Sequence, residues 1–567
     1  MDTAYIKKFL IYFLYNIFTT KEKDMIFELK KNQKLLDLID NQDKKFICAK
    51  VDGKIKSLDF IIDKDGDYDI EFLTLKSAKA CRIYEASLRY IAAMAVKSLD
   101  ESLDIRYSYY ISRSIYGQFV SKKKGPIFNY IFIKKIKERM KEIIEKDIPF
   151  KRIKCSKDEA LKLYRQDNKL DKIQVLKYRK ENFAHIYEAK YNSFTYSDYL
   201  YEELVPSSGY IKLFDIKPYT PGFLLFCPKA ECGGEIPPYI VEGRFASALS
   251  ENASFAMINN IDTTNNINKY IHKNTEVGLI CISEARVNRQ LVNVTDEIVS
   301  STKPIKLICI AGPSSSGKTS FANRLMYELM SVGKRTIRIS IDDFYIPKGE
   351  MKEGTDLESL DAIDVDLFNE TMSSLIIGKE AKIPHYDFKT NQRTFAKPIK
   401  IDDNQLIIIE GIHALNSDLT QGIPDPNKFK IYISPQPQVN IDYHTPLSMS
   451  NLRLLRRIVR DNRTRGSDAK ETISMWNNVR NGEFKYIYPT QENADFVFDS
   501  FYFYEPCALR KYVLPLLDKI TINDEEYDKA FDLKQMIKYF TPIDEKFVPC
   551  NSLMREFLGG SCFKDAK

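Results

Sequence analysis

The sequence predicts an α/β protein whose C-terminal half is built on a mostly parallel sheet, preceded by a small β-rich module and an α+β domain. Three observations predict this. Residues 307–323, "LICIAGPSSSGKTSFAN", run from an apolar stretch through a glycine loop into a helix-like segment. Two more apolar runs, "RTIRISIDDFYIP" and "NQLIIIEGIHAL", each end in acidic residues. Residues 46–75 alternate short strand-like runs with Asp-Gly turn signals at Asp52-Gly53 and Asp65-Gly66.

Composition sets the bounds. The chain has 567 residues, is 44% hydrophobic and 29% charged, and carries a formal net charge of +7. That is ordinary for a soluble protein of several domains, and the mild positive charge permits anionic ligands without demanding them. Ten cysteines are scattered with no Cys-x-x-Cys, and there are five histidines. Reduced thiols, a cytoplasmic setting and no zinc site are the expectation. At the N-terminus, Lys7-Lys8 and "FLIYFLYNIF" imitate a signal peptide. The run is too short to span a bilayer and lacks a small-residue cleavage site, so it reads as a helix or extended start.

The elements follow in order. "KACRIYEASLRYIAAMAVKSL" is helical by its apolar spacing at Leu88, Ile91 and Val96. Residues 130–146 repeat Ile133, Ile136, Met140 and Ile143, a helix with one buried and one basic face. Residues 205–238 are rich in Pro and Gly and read as short strands and loops. A polar helix and a linker are expected over 286–304, with the main boundary near residue 300.

Gly312, Ser314, Ser315, Ser316, Gly317, Lys318 and Thr319 belong to a G-x-x-x-x-G-K-[ST] loop between a strand and a helix. Such a loop turns successive N–H groups inward at a helix N-terminus and holds the phosphates of ATP. Lys318 reaches the β- and γ-phosphates, and Thr319 gives its hydroxyl to Mg²⁺. The GTPase signature Asn-Lys-x-Asp occurs only at 168–171, ahead of the loop, and reads as a decoy. Asp342 ends a strand where a carboxylate can accept a hydroxyl proton. Glu410 ends another, where an acid joins the Mg²⁺ shell. In "NLRLLRRIVRDNRTRG", Arg453, Arg456, Arg457 and Arg460 fall at helical spacing, followed by Arg463 and Arg465. They are expected in a lid that neutralises the transferring phosphoryl group.

Together, "GPSSSGKT", "SIDDFYIP", "ESLDAID", "PHYDFKT", "IIIEGIHAL" and "RRIVRDNRTRG", in this order over 303–515, resemble the phosphoribulokinase/uridine kinase superfamily. "MWNNVRNGEFKYIYPTQENADFVFDS" is similar to multidomain nucleoside kinases whose N-terminal half resembles threonyl-tRNA synthetase. The resemblance implies an N-terminal extension (1–45), a TGS-like module (46–76), a domain like the synthetase's second additional domain (77–285), a linker (286–302) and a P-loop nucleoside kinase domain (303–555). It implies that Asp342 is the base near the 5′-hydroxyl, that Glu358 faces the ribose hydroxyls and that Tyr386 contacts the base. Glu410 becomes the metal-shell acid, Arg457 and Arg460 the ribose and phosphate arginines, and Arg465 a lid arginine. Asn391 stands where those kinases carry a base-reading His, and Ser467 replaces a second lid arginine. The implied activity is transfer of the ATP γ-phosphoryl group to a nucleoside, uridine being favoured. Another small alcohol acceptor, or a nucleotide-sensing RNA-binding protein, is the alternative. The synthetase's editing His pair is missing from "RYSYYISRSIYGQF", and His185 and His272 are isolated, so no hydrolytic editing is expected. RNA binding by the N-terminal half and a homo-oligomer stay open, and no membrane partner is expected.

Overall fold

The computed structural model describes residues 25–121, 129–167, 169–178, 181–199, 202–387 and 390–564. The signal-like run and Asn168 of the decoy lie outside them. The chain divides into two compact units: residues 1–241 with 440–446 and 521–528, and residues 242–439 with 447–520 and 529–567.

Among the described residues, the first unit holds three antiparallel sheets of three or four strands and a short two-stranded pair, Asn440–Asp442 with Thr445–Pro446. In the first, the strand order is Met25–Leu29, Gly66–Leu73, Cys48–Val51, Lys54–Ser57. Asp52 and Gly53 both adopt positive φ (46° and 73°), the two-residue hairpin turn read from the sequence. Asp65-Gly66 is different and corrects the expectation. Gly66 opens a strand that pairs with Met25–Leu29 and Cys48–Val51 rather than with the strand preceding it, so no tight hairpin forms there. Asp65 instead accepts a hydrogen bond from the Lys31 N–H at 2.6 Å.

The helix Ala78–Leu99 buries Leu88, Ile91 and Val96, and Tyr130–Glu145 buries Ile133, Ile136, Met140 and Ile143, as their apolar spacing dictates. The second sheet runs Asp215–Tyr219, Gly222–Phe226, Ser114–Ser121, Leu103–Ile111, and the third runs Lys151–Ser156, Phe183–Tyr191, Phe194–Asp198. Residues 440–446, distant in sequence, complete this unit. The Tyr107 N–H donates to the Tyr443 carbonyl (2.8 Å), and Asn440 Nδ2 donates to the Tyr107 carbonyl (2.6 Å).

The second unit is built on a five-stranded, all-parallel sheet in the order Thr336–Ser340, Leu406–Glu410, Leu307–Ala311, Lys428–Ser434, Phe496–Asp499. Leu307–Ala311 and Leu406–Glu410 are buried along their whole length, which explains their unbroken apolar runs. The expected polar helix is the latter part of one 25-residue helix, Glu276–Ser300, and residues 301–306 link it to the strand Leu307–Ala311. Among the described residues, no helix is long and apolar enough to cross a membrane.

Candidate active site

The strand Leu307–Ala311 breaks at Gly312, where an added Cβ would collide with the Ile433 carbonyl oxygen. Ser315 and Gly317 take positive φ (59° and 89°), curling the loop before the helix Lys318–Ser331 begins. The first helical bond runs from the Phe321 N–H to the Gly317 carbonyl, so the N–H groups of Lys318, Thr319 and Ser320 precede the helical ladder. Lys318 arches back, its Nζ donating to the carbonyls of Gly312 (2.9 Å) and Pro313 (3.3 Å). The Ser315 and Ser316 hydroxyls are buried with no protein partner. Curled backbone, N–H groups ahead of the helical ladder and orphaned hydroxyls together fit a phosphate chain.

Beside the loop, parallel pairing aligns the strand ends: Glu410 is in register with Ile310 on one side and Ser340 on the other. The sequential strand order, not the strand direction, switches sides about this point, where open α/β sheets bind ligands. Asp342 follows Ser340 in a single turn, Ile341–Phe344. It is exposed to solvent, yet the surrounding protein raises its pKa against the pull of Lys318. Burial, with the Asp342 charge adding to it, pushes the Glu410 carboxyl up to about 7, although Lys318 and Arg338 oppose this. Burial likewise lowers the Lys318 ammonium. Thr319 Oγ1 donates to Glu410 Oε1 at 3.4 Å, so the hydroxyl and carboxylate expected to seat a divalent cation are adjacent.

Glu358 and Tyr386, the residues expected on the acceptor side, are each held by their neighbours. Burial raises the Glu358 carboxyl, and Arg457 and Lys318 pull it down. Glu358's carbonyl lies 3.0 Å from His413 Nε2, which pins this segment to the turn after Glu410. The Tyr345 and Tyr386 rings lie 5.6 Å apart at 45°. Asp343 accepts from the Tyr386 N–H at 3.2 Å and lies 3.0 Å from His385 Nδ1. Asn391 occupies the turn between Pro384–Asp387 and Gln392–Phe395, with φ of 55° and its N–H bonded to the Asp387 carbonyl at 2.7 Å. Asn is one of the few non-glycine residues that tolerate that conformation.

The arginine row lies on the helix Met449–Thr464, and its members divide by face. Contrary to the lid expectation, Arg453 and Arg456 point inward, fully buried on Glu483 and Glu505. They grip the phosphate loop from behind: Arg453 Nε donates to the Ser314 carbonyl (2.9 Å) and Arg456 Nη1 to the Ser315 carbonyl (3.3 Å). Arg457 is on the loop side, donating to Ser314 Oγ at 2.9 Å. Arg457, Arg460 and Arg465 converge on the buried Asp461 at 3.2, 2.8 and 3.6 Å. Burial lowers the Arg457 pKa, and the neighbouring Arg460 adds to this. Asp461, His413, Asp343 and Tyr345 were not singled out from the sequence. The second Asp of "SIDDFY" and the His of "EGIHAL" are the signals that could have marked two of them.

Residues 307–503 match the phosphoribulokinase/uridine kinase family. A uridine kinase of Ureaplasma parvum serovar 3 is 32% identical over 202 residues, 34% of this chain and 88% of that protein. A uridine kinase of Staphylococcus epidermidis is 30% identical over 196 residues, 34% of this chain and 86% of its own. A uridine kinase of Saccharomyces cerevisiae is 32% identical over 201 residues, 34% of this chain but 36% of its own length. The solved structure of a possible uridine kinase from Bacillus stearothermophilus aligns with a TM-score of 0.23 at 21% identity, over 26% of this chain and 80% of that one.

Proposed function

The chain belongs to the phosphoribulokinase/uridine kinase family and is a phosphotransferase with an alcohol acceptor, and we propose that its acceptor is a nucleoside, uridine foremost, phosphorylated at the 5′-hydroxyl at the expense of ATP. The observation that carries this reading is the juxtaposition of Lys318, Asp342 and Glu410 at adjoining strand ends.

In this reading Lys318, with the N–H groups around it, orients the triphosphate. Thr319 and Glu410 would hold Mg²⁺, which when bound neutralises charge on the β- and γ-phosphate oxygens. Asp342, with its raised pKa, accepts the proton of the attacking hydroxyl. Glu358 receives the ribose hydroxyls and Tyr386 the base. Arg457 and Arg460, oriented by Asp461, balance the charge spread over the moving phosphoryl group, and Arg465 completes the cover.

For the N-terminal half, we read residues 46–285 as synthetase-like modules without hydrolytic editing. Two of its cysteines are engaged by other side chains: Cys227 donates to Glu85 (3.4 Å), and Arg113 donates to Cys232 Sγ (3.0 Å).

The test is ADP release from ATP and Mg²⁺ with uridine, cytidine, adenosine, guanosine, inosine and thymidine, repeated with Lys318→Ala and Asp342→Ala. Turnover with at least one nucleoside, lost in both variants, supports the proposal. Folded protein that binds ATP but turns over with none of them overturns the nucleoside acceptor.

A further inference from the structure

The C-terminal segment reaches the phosphate loop. The Glu556 carboxylate accepts from Ser320 Oγ at 2.8 Å and from the Ser320 N–H at 3.4 Å. That N–H is the last of the three preceding the helical ladder, and its partner comes from 236 residues away. Glu556 is itself held: its carbonyl accepts from Arg463 Nη2 at 2.8 Å. Around it, Leu553 lies against Gly317, 3.4 Å from where a Cβ would stand, and the Phe557 ring sits 4.8 Å from the Arg456 guanidinium. Residues 553–557 thus close over the start of the phosphate-binding helix.

A carboxylate here is a phosphate mimic in the wrong place for an ATP site. Loops of this kind use the N–H groups at the helix start to cradle the α- and β-phosphates. Lys318 serves the β- and γ-phosphates, so the Ser320 N–H, one position further along than Thr319, serves the phosphate nearest the nucleoside. The Glu556 charge acts on Lys318, Glu410 and Arg465, all of them groups of the proposed site. Two anions cannot share one N–H and one hydroxyl, and like charges at such a distance repel.

We propose that the C-terminal segment is a latch on the nucleotide site, with Glu556 occupying the α-phosphate's donors until ATP displaces it. This rests on the phosphotransferase reading of the loop but not on which alcohol is the acceptor. Closed, the latch satisfies the Ser320 N–H and weakens nucleotide binding; open, it frees the cleft.

The experiment is MgATP affinity by calorimetry for the full chain and for Glu556→Gln, alone and combined with Ser320→Ala, with thermal melts to confirm folding. Glu556→Gln keeps the side chain's size and removes its charge. The expected result is roughly tenfold tighter MgATP binding, with the gain largely lost in the Ser320→Ala background. Hydrogen exchange on the unmodified chain gives a second readout: MgATP should lower amide protection over residues 553–557. Unchanged affinity in Glu556→Gln, or higher protection with MgATP, would overturn the latch and leave Glu556 as a plain helix cap. Weaker binding would overturn it by making Glu556 a nucleotide contact. Absence of MgATP binding in both proteins would overturn the phosphotransferase reading, and the latch with it. Nucleoside turnover is not read here, so failure of the nucleoside acceptor is recorded separately.

Discussion

Buried charge is handled in opposite ways around Glu85 and Lys172 in the first unit and at the candidate site in the second. Around Glu85 and Lys172, opposite charges outweigh burial. Burial alone would raise Glu85, but Lys229 at 2.6 Å and Arg89 at 3.9 Å bring its carboxyl down to about 2. Lys172 would be lowered by burial, yet Asp198 and Asp442 at 3.4 and 3.0 Å hold it well above the usual ammonium range. In the second unit, the balance tips the other way at the candidate site. Asp342, Glu358 and Glu410 are all raised, and Lys318, Arg457 and Arg465 are all lowered. Every one of these groups is held in a setting that disfavours its charge. Where partners outweigh desolvation the charges serve the fold; where desolvation outweighs the partners, the charged forms are ones a ligand can compensate.

That contrast breaks most sharply at Asp342. Asp342→Asn should lower kcat/KM by about 10²–10⁴-fold, the usual span for a general base, while leaving the melting temperature unchanged or raising it. A large loss of stability would show that Asp342 belongs with the structural charges. In the first unit the opposite holds. Glu85→Ala strands Lys229 and Arg89 and should cost about 3–5 kcal/mol in that unit's unfolding transition, measured by denaturant titration.

The same carboxylate sets a pH dependence. The folded value of about 2 lies below the ordinary 4.5, so its contribution is fully present above pH 4.5. It is lost as pH falls toward 2, and amounts to about 3 kcal/mol. Acid titration of the first unit should show this loss, and Glu85→Gln should flatten it. The smallest expected effect sharpens the comparison from within the site. Asp461 is a well-paired buried acid that gathers Arg457, Arg460 and Arg465, the arginines proposed to face the phosphoryl group. Asp461→Asn should lower kcat roughly tenfold with a smaller change in the nucleoside KM.

What the sequence made legible was what neighbours in the chain decide. The phosphate loop, the strands around it and the acids at their ends are contiguous, and their residue types carry the chemistry within a few positions. The arginine row shows where that stops. Helical spacing places Arg453, Arg456, Arg457 and Arg460 on one element, but Glu483 and Glu505 determine which of them turn inward. Glu556 on Ser320, Asp442 on Lys172 and His413 on the Glu358 carbonyl are pairs brought together only by the fold. Asp65-Gly66 shows the same limit locally: its dipeptide favours a turn, yet pairing with Met25–Leu29 draws Gly66 into a strand.

The most direct measurement is identification of the product formed from uridine, ATP and Mg²⁺ by the unmodified chain. The account predicts uridine 5′-monophosphate and ADP in equal amounts, and neither product with Asp342→Asn over the same interval. Folded protein that binds MgATP yet forms no nucleoside monophosphate from uridine or any other nucleoside would contradict it.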